Sequence, residues 1–170
     1  NTGVSRGLTA SKYNERVAQC AEAVEGMHSG VIALGLGGYE VGNPPEKFRE
    51  AFDIVHKAGL PAVIHAGETG GPESIRGALD ALHAVRIGHG VRCLEDADLV
   101  KRLRDEQIPL EVCPTSNICL KVFPSLEEHT LPKLVEEGLY VTINSDDPPM
   151  FNTTLTREYQ LVHETFGFDR

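Results

Sequence analysis

The sequence predicts an α/β fold, specifically a partial TIM-type (β/α)8 barrel with about five of its eight strands present. Two observations support this prediction. Short apolar, β-rich runs alternate with amphipathic helical patterns along the chain, and strict alternation indicates a parallel sheet. Each apolar run also ends in a polar cluster. In a β/α barrel the loops after the strands open on one face, and that face carries the chemistry.

The strands and their polar ends can be placed in chain order. The predicted strands are Val31–Leu36, Ala62–Ala66, Val85–His89, Pro109–Cys113 and Tyr140–Asn144. The polar residues at their ends are Gly38 and Glu40, His65 and Glu68, His89, Thr115 to Asn117, and Asp146 and Asp147. The runs are β-rich without long alternation, which is typical of strands covered on both faces.

Six helices are predicted from apolar periodicity. They span Ser11–Met27, Pro44–Ala58, Pro72–His83, Glu95–Glu106, Thr130–Glu137 and Thr154–Phe166. The second has the clearest boundaries, because Asn43 is placed to cap its first turn and Gly59 to end it. Its apolar stripe consists of Phe48, Phe52 and Val55.

The length of the chain is short for a closed barrel. It has 170 residues, whereas a closed eightfold barrel usually needs about 250. The chain begins with Asn1 rather than Met, and its last helical pattern stops almost at the terminus. We therefore expect residues 1–170 to form a single partial β/α-barrel domain, the C-terminal portion of a longer barrel, truncated at both ends.

The charge balance excludes some classes of partner. The chain carries a formal net charge of −9, whereas binding a phosphate backbone requires clustered Lys and Arg. We expect no nucleic acid and no membrane as partner, and a small neutral or cationic ligand instead. No stretch approaches the roughly 20 apolar residues of a membrane span, so we predict a cytoplasmic location. The four cysteines are interpreted as free thiols.

Three strand-end residues predict a metal site. His65, His89 and Asp146 follow separate strands, and imidazole and carboxylate groups are ligands suited to zinc. Because no H-x-E with P-C-x-x-C is present and the first predicted strand has no lysine to bridge two metals, a single zinc ion is favoured. The other histidines fall in helices or loops and are predicted to lie at the surface: His28, His56, His83, His129 and His163.

Two further features have both a functional and an ordinary interpretation. Neighbouring side chains in extended backbone point to opposite sides, so Asp146 can bind metal while Asp147 faces a ligand. Alternatively, the two acids form ordinary turn chemistry ahead of Pro148. Gly38 either makes a tight turn or lets its backbone N–H approach a flat ligand. Neither a G-x-G-x-x-G nor a G-x-x-x-x-G-K-[ST] motif is present.

Taken together, four segments resemble the adenosine and adenine deaminase family of zinc-dependent barrel hydrolases. They are His65–Glu68, Arg86–Gly90, Cys113–Asn117 and Ser145–Pro149, in the family's order. The resemblance extends from about Val31 to Tyr159. Each motif alone is weak, but the combination is specific.

The resemblance implies roles for individual residues. His65 and Asp146 match the ligands of one Zn²⁺ ion, Glu68 the proton donor to purine N1, and His89 the residue that positions and stabilises the attacking hydroxide. Glu68, His89 and Asp146 are thus the implied catalytic residues. For the substrate, Gly38 matches the backbone contact to N3.

Asp147 matches the contact to N7, so the implied partner is a small purine nucleoside or base. The implied reaction is hydrolytic deamination of a 6-aminopurine, with adenosine giving inosine and ammonia as the first choice. Adenine and 6-aminodeoxyfutalosine are the alternative substrates. Two other classes stay open: another metal hydrolase of the same barrel, acting on an amide, lactone or phosphoester, and a non-enzymatic binding module or inactive fragment.

One family feature is absent from the sequence. The H-x-H pair, which supplies two zinc ligands at the end of the family's first strand, has no counterpart here. His65 and Asp146 alone fall short of the three protein ligands typical of catalytic zinc. We therefore expect the isolated chain to be inactive.

Overall fold

A single parallel sheet organises the chain. The computed structural model describes residues 3–5 and 20–169. Within this part the strands lie in chain order, β1 to β6, each hydrogen-bonded to the next. They are β1 Gly3–Ser5, β2 Leu34–Gly37, β3 Ala62–Ala66, β4 Ala84–His89, β5 Leu110–Val112 and β6 Val141–Ile143. Sequential parallel strands joined by helices are the arrangement of a β/α barrel, so the predicted partial barrel is confirmed.

The five predicted strands are all present, and β1 is an additional one. Its three residues pair in register with Gly35, Leu36 and Gly37 of β2. This strand was not predicted because a segment of this length, with Val4 as its single apolar residue, gives no recognisable apolar run.

Helices connect the strands. Helix α1 is described over residues 20–25, and the others are α2 Arg49–Lys57, α3 Pro72–Leu82, α4 Ala97–Asp105, α5 Pro114–Cys119, α6 Leu131–Glu136, α7 Pro148–Phe151 and α8 Leu155–Phe166. Much of the first predicted helix, Ser11–Met27, lies outside the described residues. Helices α5 and α7 were not predicted from the sequence. Each is short and begins with a proline in the segment that follows a strand, a pattern that is also typical of a turn.

The start of α2 differs from its prediction, whereas its packing and end agree. Asn43 does not cap the helix, because its side-chain amide donates to the carbonyl of Tyr39 and a 3₁₀ turn at Pro45–Phe48 comes first. Phe52 and Val55 are fully buried, as the apolar stripe predicted. Gly59 follows the helix with a φ of +78°, a conformation that L side chains rarely adopt.

The two faces of β2 and β3 are buried to different extents. Leu36 and Ile64 are fully buried, and this face packs against the helices within the apolar core. The alternate positions, which include His65, are half-buried. This second face of the sheet carries the candidate site.

Strand register aligns the functional residues along the carboxyl edge of the sheet. His65 pairs with Gly88, and Ala66 pairs with His89. A Cβ on Gly88 would lie 3.1 Å from the ring of His65, so the absence of a side chain there leaves room for the imidazole.

Two expectations drawn from composition can be compared with the structure. In the part of the chain that the structure describes, no helix has the length and apolar character needed to cross a membrane. The cysteines are free thiols, as predicted. Cys20, Cys93 and Cys113 are buried, and Cys119 is exposed.

Substitutions at Gly59 and Gly67 distinguish the cost of a positive φ from the cost of steric crowding. Gly67 and Gly59 both have positive φ, but a Cβ on Gly67 would clash with Cδ1 of Ile75, whereas a Cβ on Gly59 would meet nothing within 4 Å. We expect Gly59→Ala to cost about 1–2 kcal/mol of unfolding free energy. Gly67→Ala should cost about 1–3 kcal/mol more, because the buried Ile75 must move. Urea denaturation of the full-length protein measures both, and equal losses would contradict this packing.

Candidate active site

A cavity of about 350 Å³ opens at the carboxyl edge of the sheet. Its lining residues are His65, Gly88, His89, Glu111, Cys113, Asn144, Ser145, Asp146 and Leu155. The structure thus brings together the three strand-end residues that the sequence singled out, His65, His89 and Asp146. They come from β3, β4 and the segment after β6, so distant parts of the chain converge as barrel geometry requires.

Nitrogen, oxygen and sulfur donors surround this cavity. The rings of His65 and His89 lie edge to face with centroids 5.1 Å apart. Single donor atoms of His89, Cys113 and Asp146 all lie within 4.8 Å of one another. Such donors fit zinc. Burial raises the pKa of the Cys113 thiol, so Cys113 would have to lose its proton on binding a metal, whereas a neutral imidazole and a carboxylate need no such step.

The adjacent acids Asp146 and Asp147 are used differently. Asp146 has a φ of +55°, and its Oδ2 lies 3.9 Å from Nε2 of His89. That oxygen also accepts a 2.7 Å hydrogen bond from the Ser116 hydroxyl. Asp147 caps α7, because its Oδ1 accepts from the backbone N–H of Met150 at 3.1 Å. Asp147 therefore uses one carboxylate oxygen in an ordinary turn contact, whereas Asp146 lines the cavity.

Glu68 contacts His89 from the loop after β3. Its Oε1 lies 3.5 Å from Nδ1 of His89 and 3.3 Å from the donating Nδ2 of Asn117. Burial, together with the negative charges of Asp146 and Glu40, raises the pKa of Glu68 to about 7, although the Asn117 hydrogen bond opposes the shift. A carboxyl group with this pKa is substantially protonated at neutral pH and can act as an acid.

The loop that carries Glu68 is held by Glu40. This carboxylate accepts the backbone N–H groups of Gly67 at 2.8 Å and of Glu68 and Thr69 at 2.9 Å, and also the hydroxyl of Ser74. Burial alone would raise the pKa of Glu40, but these hydrogen bonds outweigh it and hold the pKa below its usual value. Glu40 is therefore ionised, whereas the neighbouring Glu68 is substantially protonated at neutral pH.

In the sequence, Glu40 is recognisable only as a polar residue at a strand end. Its partners begin 27 residues further along the chain, so no local pattern reveals the contact.

His129 is buried, so its predicted surface position is wrong. It is 4% exposed, and the ring of Phe123 packs against it with centroids 4.5 Å apart. Nε2 of His129 lies 3.1 Å from Oδ1 of Asn117, and its Nδ1 accepts from the N–H of Leu131. Hydrogen bonds on both ring nitrogens compensate for the burial of His129. Its position between two helices in the sequence does not indicate these hydrogen bonds.

The candidate substrate contacts lie beside the cavity rather than in its wall. Gly38 follows β2 with a φ of +100° and is exposed. Its neighbour Gly37 approaches the site closely, because a Cβ there would lie 4.0 Å from Nδ1 of His65. Asp147 is also exposed. Of the residues predicted from the sequence, His65, His89 and Asp146 line the cavity, whereas Gly38, Glu68 and Asp147 do not.

Imidazole and carboxyl groups gathered at the strand ends define a β/α-barrel enzyme site. Comparison with known proteins gives a more specific assignment. The family model described as adenosine deaminase matches residues 4–170. The chain belongs to the adenosine deaminase family, as the sequence motifs indicated.

Individual relatives agree with this assignment. An adenine deaminase from Chelativorans sp. (strain BNC1) is 51% identical over 155 residues, which cover 91% of this chain and 47% of the relative. The crystal structure of an adenine deaminase from Arthrobacter aurescens superposes with a TM-score of 0.89 at 38% identity, covering 98% of this chain and 50% of the other. The apo N6-methyl-AMP deaminase from Arabidopsis thaliana gives 0.85 at 27% identity, covering 99% and 48%. The chain spans about half the length of the relatives it matches.

Glu68 is expected to titrate near pH 7 in the metal-free full-length protein, protonated below this pH and ionised above it. Asp146→Asn removes a nearby negative charge and should lower this pKa, while burial still keeps it above that of exposed glutamates, about 4.3. Asp147→Asn, whose carboxylate does not contribute to the shift, is the control. NMR titration of ¹³C-labelled glutamate side chains measures the change. A Glu68 that titrates with the exposed glutamates would contradict the site geometry.

Proposed function

We propose that the whole protein catalyses the hydrolytic deamination of a 6-aminopurine, with adenine as the substrate and hypoxanthine and ammonia as products. The observation that carries the proposal is the position of Glu68, which contacts His89 next to a cavity lined by His89, His65 and Asp146 and whose surroundings raise its pKa. Family membership supports the reaction type. The choice of adenine rests on the relatives that bear this name.

Adenosine, the first choice from the sequence motifs, becomes an alternative substrate, as does 6-aminodeoxyfutalosine. The motifs around the cavity serve the purine ring, which all three compounds share. Contacts to a ribose would have to come from elsewhere in the protein.

We infer that His65 and Asp146 hold one divalent ion, and zinc fits these donors. The ion would make water a nucleophile at neutral pH by lowering its pKa. Because the chain contains no H-x-H, two donors fall short of the usual three protein ligands. The proposal assigns the missing ligands to another part of the same polypeptide, and the inactivity of the isolated chain stays a prediction.

Glu68 is proposed to supply the proton that purine chemistry requires. When a water oxygen adds to C6, the ring loses its conjugation and negative charge collects on N1 unless N1 is protonated. The acid form of Glu68 can give this proton at neutral pH. The C6–N6 bond then breaks, and the amino group leaves as ammonia after it receives the proton that the water released. The proton that remains on the oxygen at C6 is lost as the carbonyl of hypoxanthine forms, and reprotonation of Glu68 restores the acid for the next cycle.

His89 is proposed to orient the water. Burial, assisted by the neighbouring His65, lowers the pKa of His89 to about 4, so the ring is neutral at pH 7. A neutral imidazole carries one N–H donor and one acceptor. Its Nε2 faces Asp146 in the cavity, where the attacking water would lie.

The purine itself would be recognised at its edge. We propose that the backbone N–H of Gly38 donates to N3 and that the carboxylate of Asp147 contacts N7. The positive φ of Gly38 lets the chain turn without a side chain at this point.

We retain two further predictions, the cytoplasmic location and residues 1–170 as a single partial-barrel domain in the C-terminal portion of the enzyme.

The test uses the zinc-loaded full-length protein with adenine, adenosine and 6-aminodeoxyfutalosine, and it measures ammonia release. We expect the highest kcat/KM with adenine and loss of activity after chelation. Glu68→Gln should reduce kcat by about 10²–10⁴-fold, the usual contribution of a general acid, with unchanged zinc content. Glu50→Gln, an exposed acid on α2, is the control and should retain activity. Turnover of none of the three purines, or a fully active Glu68→Gln variant, would overturn the proposal.

A further inference from the structure

A buried chain of hydrogen bonds runs from the backbone of α6 to the ring of His89. Its members are the N–H of Leu131, the imidazole of His129 and the side-chain amide of Asn117. All three residues are buried, with Asn117 and Leu131 fully inaccessible. Water therefore does not compete for these contacts, and each member fixes the donor and acceptor roles of the next.

The first contact determines the tautomer of His129. The backbone N–H of Leu131 can only donate, so Nδ1 of His129, at 2.9 Å, must accept and carry no proton. The ring proton then lies on Nε2, because a neutral imidazole has one N–H. Burial lowers the pKa of His129 to about 4, which is consistent with a neutral ring.

The tautomer of His129 sets the orientation of the Asn117 amide. The N–H on Nε2 of His129 donates to Oδ1 of Asn117 at 3.1 Å. The NH₂ group of Asn117 therefore points the other way, where its Nδ2 lies 3.3 Å from Oε1 of Glu68 and 3.3 Å from Nδ1 of His89. Each hydrogen of the NH₂ group therefore has an acceptor, so both are hydrogen-bonded.

We propose that His129 is a positioning residue that, through Asn117, keeps the proton of His89 on Nε2. Because Nδ1 of His89 accepts from Asn117, its single N–H must face Asp146, 3.9 Å away. The opposite tautomer would place the N–H on Nδ1, 3.5 Å from Oε1 of Glu68. That arrangement requires Asn117 to rotate its oxygen toward His89, which would bring its NH₂ group against the N–H of His129.

The consequence for catalysis rests on the proposed function. An N–H on Nε2 is a donor directed into the cavity, where it can hold the oxygen of the attacking water. The opposite tautomer would present a lone pair there and would engage Glu68, whose proton is needed for N1. His129 thus acts on the reaction without touching the substrate.

The experiment uses the zinc-loaded full-length protein labelled with ¹⁵N-histidine, in which two-dimensional NMR distinguishes protonated from unprotonated ring nitrogens. The signals of His89 are identified by their loss in His89→Gln. Three variants are compared. His129→Phe keeps a ring against Phe123 but removes the donor, and His129→Gln keeps an amide donor. Asn117→Asp is isosteric and places a carboxylate oxygen against Nδ1 of His89.

We expect Nε2 of His89 to be protonated in the wild type and in His129→Gln. The Nδ1–H tautomer should become populated in His129→Phe and dominate in Asn117→Asp. The value of kcat/KM should fall about 10–100-fold in His129→Phe, as it does when partners of metal-site histidines are removed. His129→Gln should recover most of this loss.

Two results would overturn the proposal: an Nε2–H tautomer in all variants, or equal losses in His129→Phe and His129→Gln. If His129→Phe does not fold, the tautomer in Asn117→Asp decides alone. The NMR result does not depend on turnover. A protein with the expected tautomer changes but no activity on purines would contradict the proposed function and leave the role of His129 in place.

Discussion

The carboxylate of Glu40 is the interaction on which the site depends. It accepts three consecutive backbone N–H groups, those of residues 67–69, and the hydroxyl of Ser74. It therefore ties the segment after β2 to the loop after β3 and to the first turns of α3. Without it, buried donors would lose their partner, which costs free energy for each group. Burial and the charge of Asp146 raise the pKa of Glu68, and the charge of Glu40 adds to this shift, so Glu40 both places the acid and favours its protonated form. Two neighbouring carboxyl groups with opposite shifts are a recognised basis for acid catalysis.

A second buried acid stabilises the segment that contacts Asp146. Glu158 of α8 is fully inaccessible and accepts the N–H of Thr115 at 3.1 Å and the hydroxyl of Thr153. It thereby fixes α5, from which Ser116 donates to Asp146. The site is assembled from segments that are individually short, and the buried carboxylates of Glu40 and Glu158 connect several of them.

The sequence predicted the parts of this arrangement that have a local signal. Apolar runs with polar ends located His65, His89 and Asp146, because strand periodicity and strand ends are short-range features. Family motifs added Glu68 and the reaction class. The contacts of Glu40 and His129 could not be predicted, since their partners are distant in sequence or hidden within a loop. Helices α5 and α7 were missed because proline at the first helical position also marks turns. The preference for adenine over adenosine came from relatives and not from any residue of the cavity.

The central claim is that Glu40 holds Glu68 in its working position, and Glu40→Gln tests it most directly. The substitution keeps the shape but presents an NH₂ group to backbone donors. The measurement is kcat/KM of the zinc-loaded full-length protein, with zinc content checked and Glu46→Gln, an exposed acid beside the same cavity as Glu40, as the control. The account predicts a fall of about 10²-fold, the cost of a small displacement of a catalytic group, for Glu40→Gln and no change for the control. Equal activity in the two variants would contradict it.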